Sequence, residues 1–402
     1  MRIGVDASCW ANGRGYGRFT RELLRTMVAQ SSGDEWILFA DTRACDRIGL
    51  DNGAVRIVRV TQSESPTQAA AADGFRSPAD MFRFTRALWK ERPDVFFCPS
   101  VYTFFPLPPG LPAVIAIHDA IPERFPELTL PSRRARLFWR GKVRLALAQA
   151  RLILTVSHYS AAELHAVLGV ADARIRVAMP APSEHYARTD RATAAGVAAR
   201  HGVPAGEPWF TYVGGFNPHK RVDTIVRAHA AVVQEGRHRP HLLLVGSLSD
   251  DVFHANVQEI RAAIAAHGTG SLVHWTGFVG DDELCALHSG ATALVLVSAS
   301  EGFGLPAVEA AACATPVIAT NASPLPRVLE GGGLFVEPGD EGAIARAMLQ
   351  LLDDPQAQRT MGEHARERAA ALDWSDSART TLDALHEAGA RNRPAAVHGG
   401  RP

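Results

Sequence analysis

The sequence predicts an α/β protein with two doubly wound parallel sheets. Three observations lead there. Short apolar runs alternate with helical patterns along most of the chain, the rhythm of βαβ units. Several of the runs are unbroken Val, Ile, Leu and Phe, as expected of strands covered on both faces. The 402 residues, 47% of them hydrophobic, exceed one ordinary core and suit two.

Taken in order, the first strands are expected at Arg2–Asp6, Trp36–Ala40, Val55–Val60, Val95–Cys98, Ala113–His118, Leu152–Val156 and Arg174–Ala178. Pro180-Ala181-Pro182, a polar stretch to His201, and then Pro204 and Pro208 read as a linker at about 180–205. A second set follows at Trp209–Val213, His241–Val245, Val273–Thr276, Ala293–Val297 and Val317–Ala319. Helices are expected at Glu341–Leu352, Pro355–Leu372 and Asp376–Ala388. The domain reading is therefore 1–185 and 205–372, with the helix at about 373–388 rejoining the first domain. The Arg/Pro/Gly-rich tail, 389–402, is expected to be disordered. In doubly wound folds ligands bind beyond the carboxyl ends of the strands, so two such sheets imply an active-site cleft between the domains.

Composition narrows the class. Lys and Arg number 42, as do Asp and Glu, which argues against nucleic-acid binding driven by overall charge. Residues 1–188 hold 25 basic and 18 acidic side chains, and the remainder 17 and 24, so the first half is the better match for an anionic partner or surface. Cys9, Cys45, Cys98, Cys285 and Cys313 are scattered, odd in number and without CxxC spacing, which suits neither a disulfide framework nor a zinc site. No run of signal-peptide or membrane-spanning length is present, and the expected location is the cytosol.

The chemistry concentrates in a few segments. SEGFGLPAVE, Ser300–Glu309, follows the run Ala293–Val297. Gly302 and Gly304 permit close approach of a ligand, and Pro306 suits a helix start. The free backbone N–H groups of Gly302, Phe303, Gly304 and Leu305 then favour an anion or polar hydroxyls. Glu301 and Glu309 flank this start and are good acceptors for vicinal hydroxyls; the plainer alternative is a glycine turn with a cap and a solvated glutamate. In YVGGFNPHKR, Tyr212–Arg221, a strand ends, Gly214-Gly215 turns, and Lys220-Arg221 precede a helix. A lysine placed there can neutralise a diphosphate, or can simply be solvated. In DASCWANGRGYGRFTREL, Gly13, Gly15 and Gly17 lie between the first strand and a helix, a weak loop signal on its own. His118 and Asp119 close a buried strand, and Ser157 and Ser160 open a helix as caps, the alternative being that Ser157 faces the cleft.

Together these segments resemble glycosyltransferase family 4, retaining enzymes of the GT-B fold. The match rests on E-G-F-G-L-P-x-x-E-A, the family's E-x7-E signature, on strand–V-G–loop–Lys, and on G-x-G-x-[YF]-x-R-E-L. It also takes in a strand-end H-D, V-S-x-x-S, Thr276-Gly277-Phe278-Val279, and Asn321–Pro326, and runs from about residue 2 to 386. The resemblance implies two Rossmann-like domains facing across a cleft, an acceptor-binding first domain and a donor-binding second. It implies that Lys220 meets the donor diphosphate with the Gly13–Gly17 loop nearby, Gly15 and Gly17 among the donor-binding residues. Glu301 and the glycine-loop amides would hold the sugar, Glu309 would accept from the ribose, and Phe278-Val279 would pass the nucleobase. His118 would lie near the transferred sugar, with Asp119 orienting it or facing the acceptor. Many members carry Arg directly after the first glycine, where this chain has Gly215; Arg221 is the candidate replacement.

The sequence has no Asp-x-Asp and no His/Cys cluster of metal spacing, so no metal and no cofactor are expected. The implied reaction is retaining transfer of a hexose from a nucleotide sugar to a hydroxyl of a glycan or lipid-linked acceptor. GDP-mannose is favoured, by similarity to mannosyltransferases of bacterial surface polysaccharide assembly. A sugar-nucleotide epimerase of similar fold and a non-catalytic nucleotide-sugar-binding subunit are the alternatives. Finally, Ser132–Arg151 holds seven Lys/Arg among Leu137, Phe138, Val143, Leu145 and Leu147. It reads either as a surface helix packed by its apolar face or as a contact with anionic lipid at the cytoplasmic face of the inner membrane.

Overall fold

A computed structural model describes residues 1–13, 15–50, 53–63, 77–247 and 256–390. The chain divides into two compact units. The first comprises Met1–Ala120, Ser132–Met179 and the chain from Trp374; the second comprises Ile121–Pro131 and Pro180–Asp373.

The first unit is built on a seven-stranded parallel sheet. Its strands are β1 (Arg2–Asp6), β2 (Glu35–Ala40), β3 (Val55–Arg59), β4 (Val95–Cys98), β5 (Ala113–Ala116), β6 (Leu152–Thr155) and β7 (Ile175–Val177), in the order β3-β2-β1-β4-β5-β6-β7. Every strand pair is parallel. The central strands are buried along their whole length, which is why Val95–Cys98 and Ala113–Ala116 read as continuous apolar runs. Chain direction across the sheet reverses between β1 and β4, which makes their carboxyl ends a topological switch point.

The second unit repeats the plan with six strands: β8 (Trp209–Val213), β9 (His241–Val245), β10 (Val273–Gly277), β11 (Ala293–Leu296), β12 (Val317–Thr320) and β13 (Gly333–Val336). Their order, β10-β9-β8-β11-β12-β13, puts its switch point between β8 and β11. All pairs are again parallel.

Three sequence-based boundaries are corrected. The stretch assigned as a linker carries the helix Arg191–Arg200. Val197, Ala198 and Val203 pack there with Leu243, Leu284 and Leu287, so the second unit starts at Pro180 and not near 205. Residues Ile121–Pro131, assigned to the first domain, group with the second unit, where Pro126–Thr129 packs on the turn Pro218–Lys220. The last helix runs Trp374–Ala390, so Gly389 and Ala390 are helical; residues 391–402, the rest of the segment expected to be disordered, lie outside the described residues. That helix belongs to the first unit, as expected. It buries Trp374, Ala378, Thr381, Leu385 and Ala388, a stripe at helical spacing, and packs on the helix Gly15–Gln30.

Candidate functional site

The switch point of the second unit gathers the two strongest motifs. β8 and β11 are neighbours, so the loops leaving them stand side by side at the carboxyl edge. After β8 the chain turns at Gly214-Gly215, and the Tyr212 hydroxyl donates to Gly215 O and pins the turn. Glycine is required in the adjacent loop, because a Cβ on Gly246 would lie 2.2 Å from Gly214 O. Phe216 packs between Tyr212 and Trp275, at 5.9 and 5.0 Å between ring centroids. Pro218–Lys220 then forms a single tight turn, and the left-handed Arg221 (φ 52°) leads into the helix Val222–Glu235.

After β11 comes the glutamate loop. Ala299 N donates to His219 O at 2.7 Å, tying this loop to the lysine turn through the backbone. Lys220 Nζ donates to Glu301 Oε1 at 2.7 Å, and Ser298 Oγ donates to the same oxygen at 2.5 Å. Glu301 N donates to Ala322 O, adding the loop after β12. Glu301 is only 7% exposed, so its charge depends on these two donors. Gly304, in the left-handed region (φ 87°), stands at the N-cap of the helix Leu305–Ala312, with Pro306 in its first turn. No side chain caps this end, but Pro306 has no N–H and Ala307 N donates to Gly304 O at 2.9 Å, so the first turn offers a ligand little beyond Leu305 N. Glu309 is buried at 3% exposure on the same short helix.

The two neighbouring cations part company. Lys220 turns to Glu301, whereas the Arg221 guanidinium lies by Gly339, where an added Cβ would meet Nη1 at 3.4 Å. The His219 imidazole is held well below its ordinary range by burial, with the Lys220 charge acting in the same direction. Val279 is committed to the core with Leu243 and Leu284, while Phe278 is 76% exposed. Of that pair, only Phe278 has a side chain open to a ligand. Phe303 and Leu305 are buried, so their backbone is what the loop can offer.

The first unit places His118 beyond β5. A carbonyl can only accept, so the 2.9 Å contact between Nε2 and Pro99 O makes Nε2 the protonated nitrogen and Nδ1 the lone-pair acceptor. Burial pushes the His118 pKa down to about 4, only partly offset by that hydrogen bond. The ring meets Phe19 edge-on at 4.7 Å, and Phe19 lies 5.9 Å from Trp374. At the end of β1, Asp6 accepts from Ser8 N at 3.0 Å, from the Ser8 hydroxyl and from Thr103 Oγ1 at 2.8 Å. Arg21 donates to Trp10 O and Asn12 O and folds this loop back on the helix Gly15–Gln30. A Cβ on Gly17 would lie 2.1 Å from Asn12 O, whereas one on Gly15 meets nothing within 4 Å. The glycine motif therefore splits into one position demanded by packing and one that packing leaves open. Ser157 caps the helix His158–Leu168 by accepting from Ser160 N at 2.9 Å, whereas Ser160, expected as a second cap, is buried inside that helix.

Ser298 and Asp6 were not singled out in the sequence. The signal for Ser298 was present as a polar residue closing an apolar strand three places before Glu301.

Residues 13–180 match the family model Glycosyltransferase Family 4, and residues 197–368 match Glycosyl transferases group 1. The chain belongs to the family 4 glycosyltransferases. This glycosyltransferase is 27% identical over 389 residues to the O-antigen chain mannosyltransferase B of Escherichia coli, covering 92% of this chain and 95% of that one. It is 30% identical over 286 residues to a D-inositol 3-phosphate glycosyltransferase of Streptomyces avermitilis, covering 68% of this chain and 60% of that one. In fold it matches sucrose-phosphate synthase from Thermosynechococcus elongatus, with a TM-score of 0.74 at 21% identity over 97% of this chain and 99% of that one. The architecture is GT-B.

Proposed function

We propose that the enzyme transfers mannose from GDP-mannose to a hydroxyl of a glycan or lipid-linked oligosaccharide in surface polysaccharide synthesis, at the cytoplasmic face of the inner membrane. The observation that carries the donor half of this reading is the Lys220–Glu301–Ser298 cluster beside the uncapped helix start at Gly304. A cation suits a leaving diphosphate, and carboxylates and oriented N–H groups suit sugar hydroxyls. The mannose assignment draws on the Escherichia coli mannosyltransferase, which aligns over nearly the full length of both chains.

In the proposed reaction the acceptor oxygen bonds to the anomeric carbon while the bond from that carbon to the diphosphate oxygen breaks. The acceptor proton passes to the leaving diphosphate, and the sugar keeps its configuration by front-face attack, with no enzymic nucleophile. Lys220 offsets the diphosphate charge, and Glu301 and the Gly302–Leu305 amides hold the sugar. Glu309 accepts from the ribose. His118, neutral with a free Nδ1 lone pair, accepts a hydrogen bond from the transferred sugar. The charge offset is assigned to protein groups alone, so turnover is expected to survive EDTA.

The test is a thermal-shift panel of GDP-, UDP- and dTDP-linked sugars. GDP-mannose is expected to raise the melting temperature most. A larger rise with a UDP-sugar would overturn the donor assignment, and no rise with any of them would sink the donor site itself.

A further inference from the structure

Among the described residues eight large hydrophobic side chains are exposed, and five of them stand on two helices of the first unit. The helix Arg133–Gln149 turns Ala135, Trp139, Val143 and Ala146 inward. Leu137 (71%), Phe138 (47%) and Leu145 (40%) point outward among Arg133, Arg134, Arg140 and Arg144. A surface helix packed by its apolar face would bury these residues too, but only the Ala/Trp/Val side packs, and Leu137, Phe138 and Leu145 are left in solvent. The helix Pro78–Glu91 does the same. It buries Phe84 and Leu88 and exposes Phe82 (66%) and Trp89 (62%) beside Arg83, Arg86 and Lys90.

The two helices share a face. Each lies within a crossover running the same way across the sheet, β3 to β4 and β5 to β6, and right-handed crossovers of one direction lie on one side. Their contacts agree, because both clasp the segment Tyr102–Leu107. Thr85 Oγ1 donates to Pro106 O, Lys142 Nζ donates to Tyr102 O, and Gln149 bonds Leu107.

We propose that this two-helix face docks the enzyme on an anionic lipid bilayer. Phe82, Trp89, Leu137, Phe138 and Leu145 enter the headgroup boundary, and the arginines meet lipid phosphates. Charge complementarity favours this occupant over a protein. The helix Arg133–Gln149 holds six basic residues and no acidic one, and tryptophan beside cations suits the interface between hydrocarbon and water. The inference deepens the membrane contact proposed above and is independent of donor chemistry.

The test is flotation of the full chain with phosphatidylcholine vesicles, with and without phosphatidylglycerol. Binding is expected only with phosphatidylglycerol, falling as salt rises. Leu137→Glu with Trp89→Glu, and separately Arg133→Ser with Arg140→Ser and Arg144→Ser, are each expected to lower it roughly tenfold. The nucleotide-sugar thermal shift, measured on the same variants, should stay at the parent value, which separates failure of docking from failure of the donor site. Absence of vesicle binding, equal binding to neutral vesicles, or a dimer in light scattering that Leu137→Glu dissolves would overturn the proposal.

Discussion

The carboxyl edges of the two sheets are wired differently. The second sheet's switch point is held by charge, with Lys220 and Ser298 both donating to the Glu301 carboxylate and loops from β8, β11 and β12 meeting there. The first sheet's edge is held by hydroxyls and backbone. Asp6 is saturated by Ser8 and Thr103, and His118 is neutral and tied to a carbonyl. An edge that carries a lysine cation suits a nucleoside diphosphate, and one built from hydroxyls, a saturated carboxylate and a neutral imidazole suits hydroxyls. The difference teaches that two copies of one architecture are specialised by the residues at strand ends, not by the sheets.

The sharpest way to break this comparison is Lys220→Ala. It removes the cation proposed for the diphosphate and leaves Glu301 with one donor. kcat/KM is expected to fall by about 10²–10³, and the GDP-mannose thermal shift should vanish. Lys220→Arg, which keeps the charge and not the geometry, should recover part of both. A rate within about threefold of the parent for Lys220→Ala would remove the lysine-bearing edge from catalysis.

The first sheet's edge is probed by its glycines. Gly17→Ala drives a Cβ into Asn12 O and is expected to cost about 2 kcal/mol or more in urea unfolding, whereas Gly15→Ala should change stability by less than about 0.5 kcal/mol. Equal costs would mean that the loop repacks freely. The two glutamates should separate by ligand. Glu309→Gln is expected to weaken GDP and GDP-mannose alike by roughly tenfold, and Glu301→Gln to weaken GDP-mannose alone. Isothermal titration with both ligands checks this.

How much of this was legible varies with the kind of information needed. Apolar runs such as Phe96-Phe97 and Leu242–Leu244 announce strands because burial on both faces permits nothing else. β13 escaped because Gly333–Val336 opens on glycine and is only half-buried. The helix Arg191–Arg200 escaped because its core stripe is mostly alanine, which looks neutral beside prolines. Glu301 and Lys220 could each be read as strand-end residues. Their meeting depends on β8 and β11 being neighbours, a consequence of crossover order that local pattern does not carry. Ser298 is the same case, since its value comes only from the oxygen it shares with Lys220. The orientation of Leu137 and Phe138 was hidden because periodicity marks an apolar stripe without saying whether protein or solvent covers it.

The smallest expected effect concerns pH, and it tests whether His118 at the first sheet's edge is neutral in solution. Burial lowers His118 to about 4, and it lowers His229 to about 4 and His288 to about 3 in the second unit. In the unfolded chain these imidazoles return to about 6.5. Between the two values the unfolded state binds more protons, so folding stability is fully present above pH 6.5 and declines as pH falls towards 4. The melting temperature should therefore drop by several degrees, roughly 5–10 °C, from pH 7 to pH 5. His118→Gln should make that drop smaller. A His118 that never charges also leaves no ionisation in the rate: kcat/KM should lack a limb near pH 6.5 that disappears in His118→Gln. If such a limb is found, His118 is a titrating base at neutral pH, and the contrast between a lysine-bearing edge and one with a neutral imidazole fails at its second term.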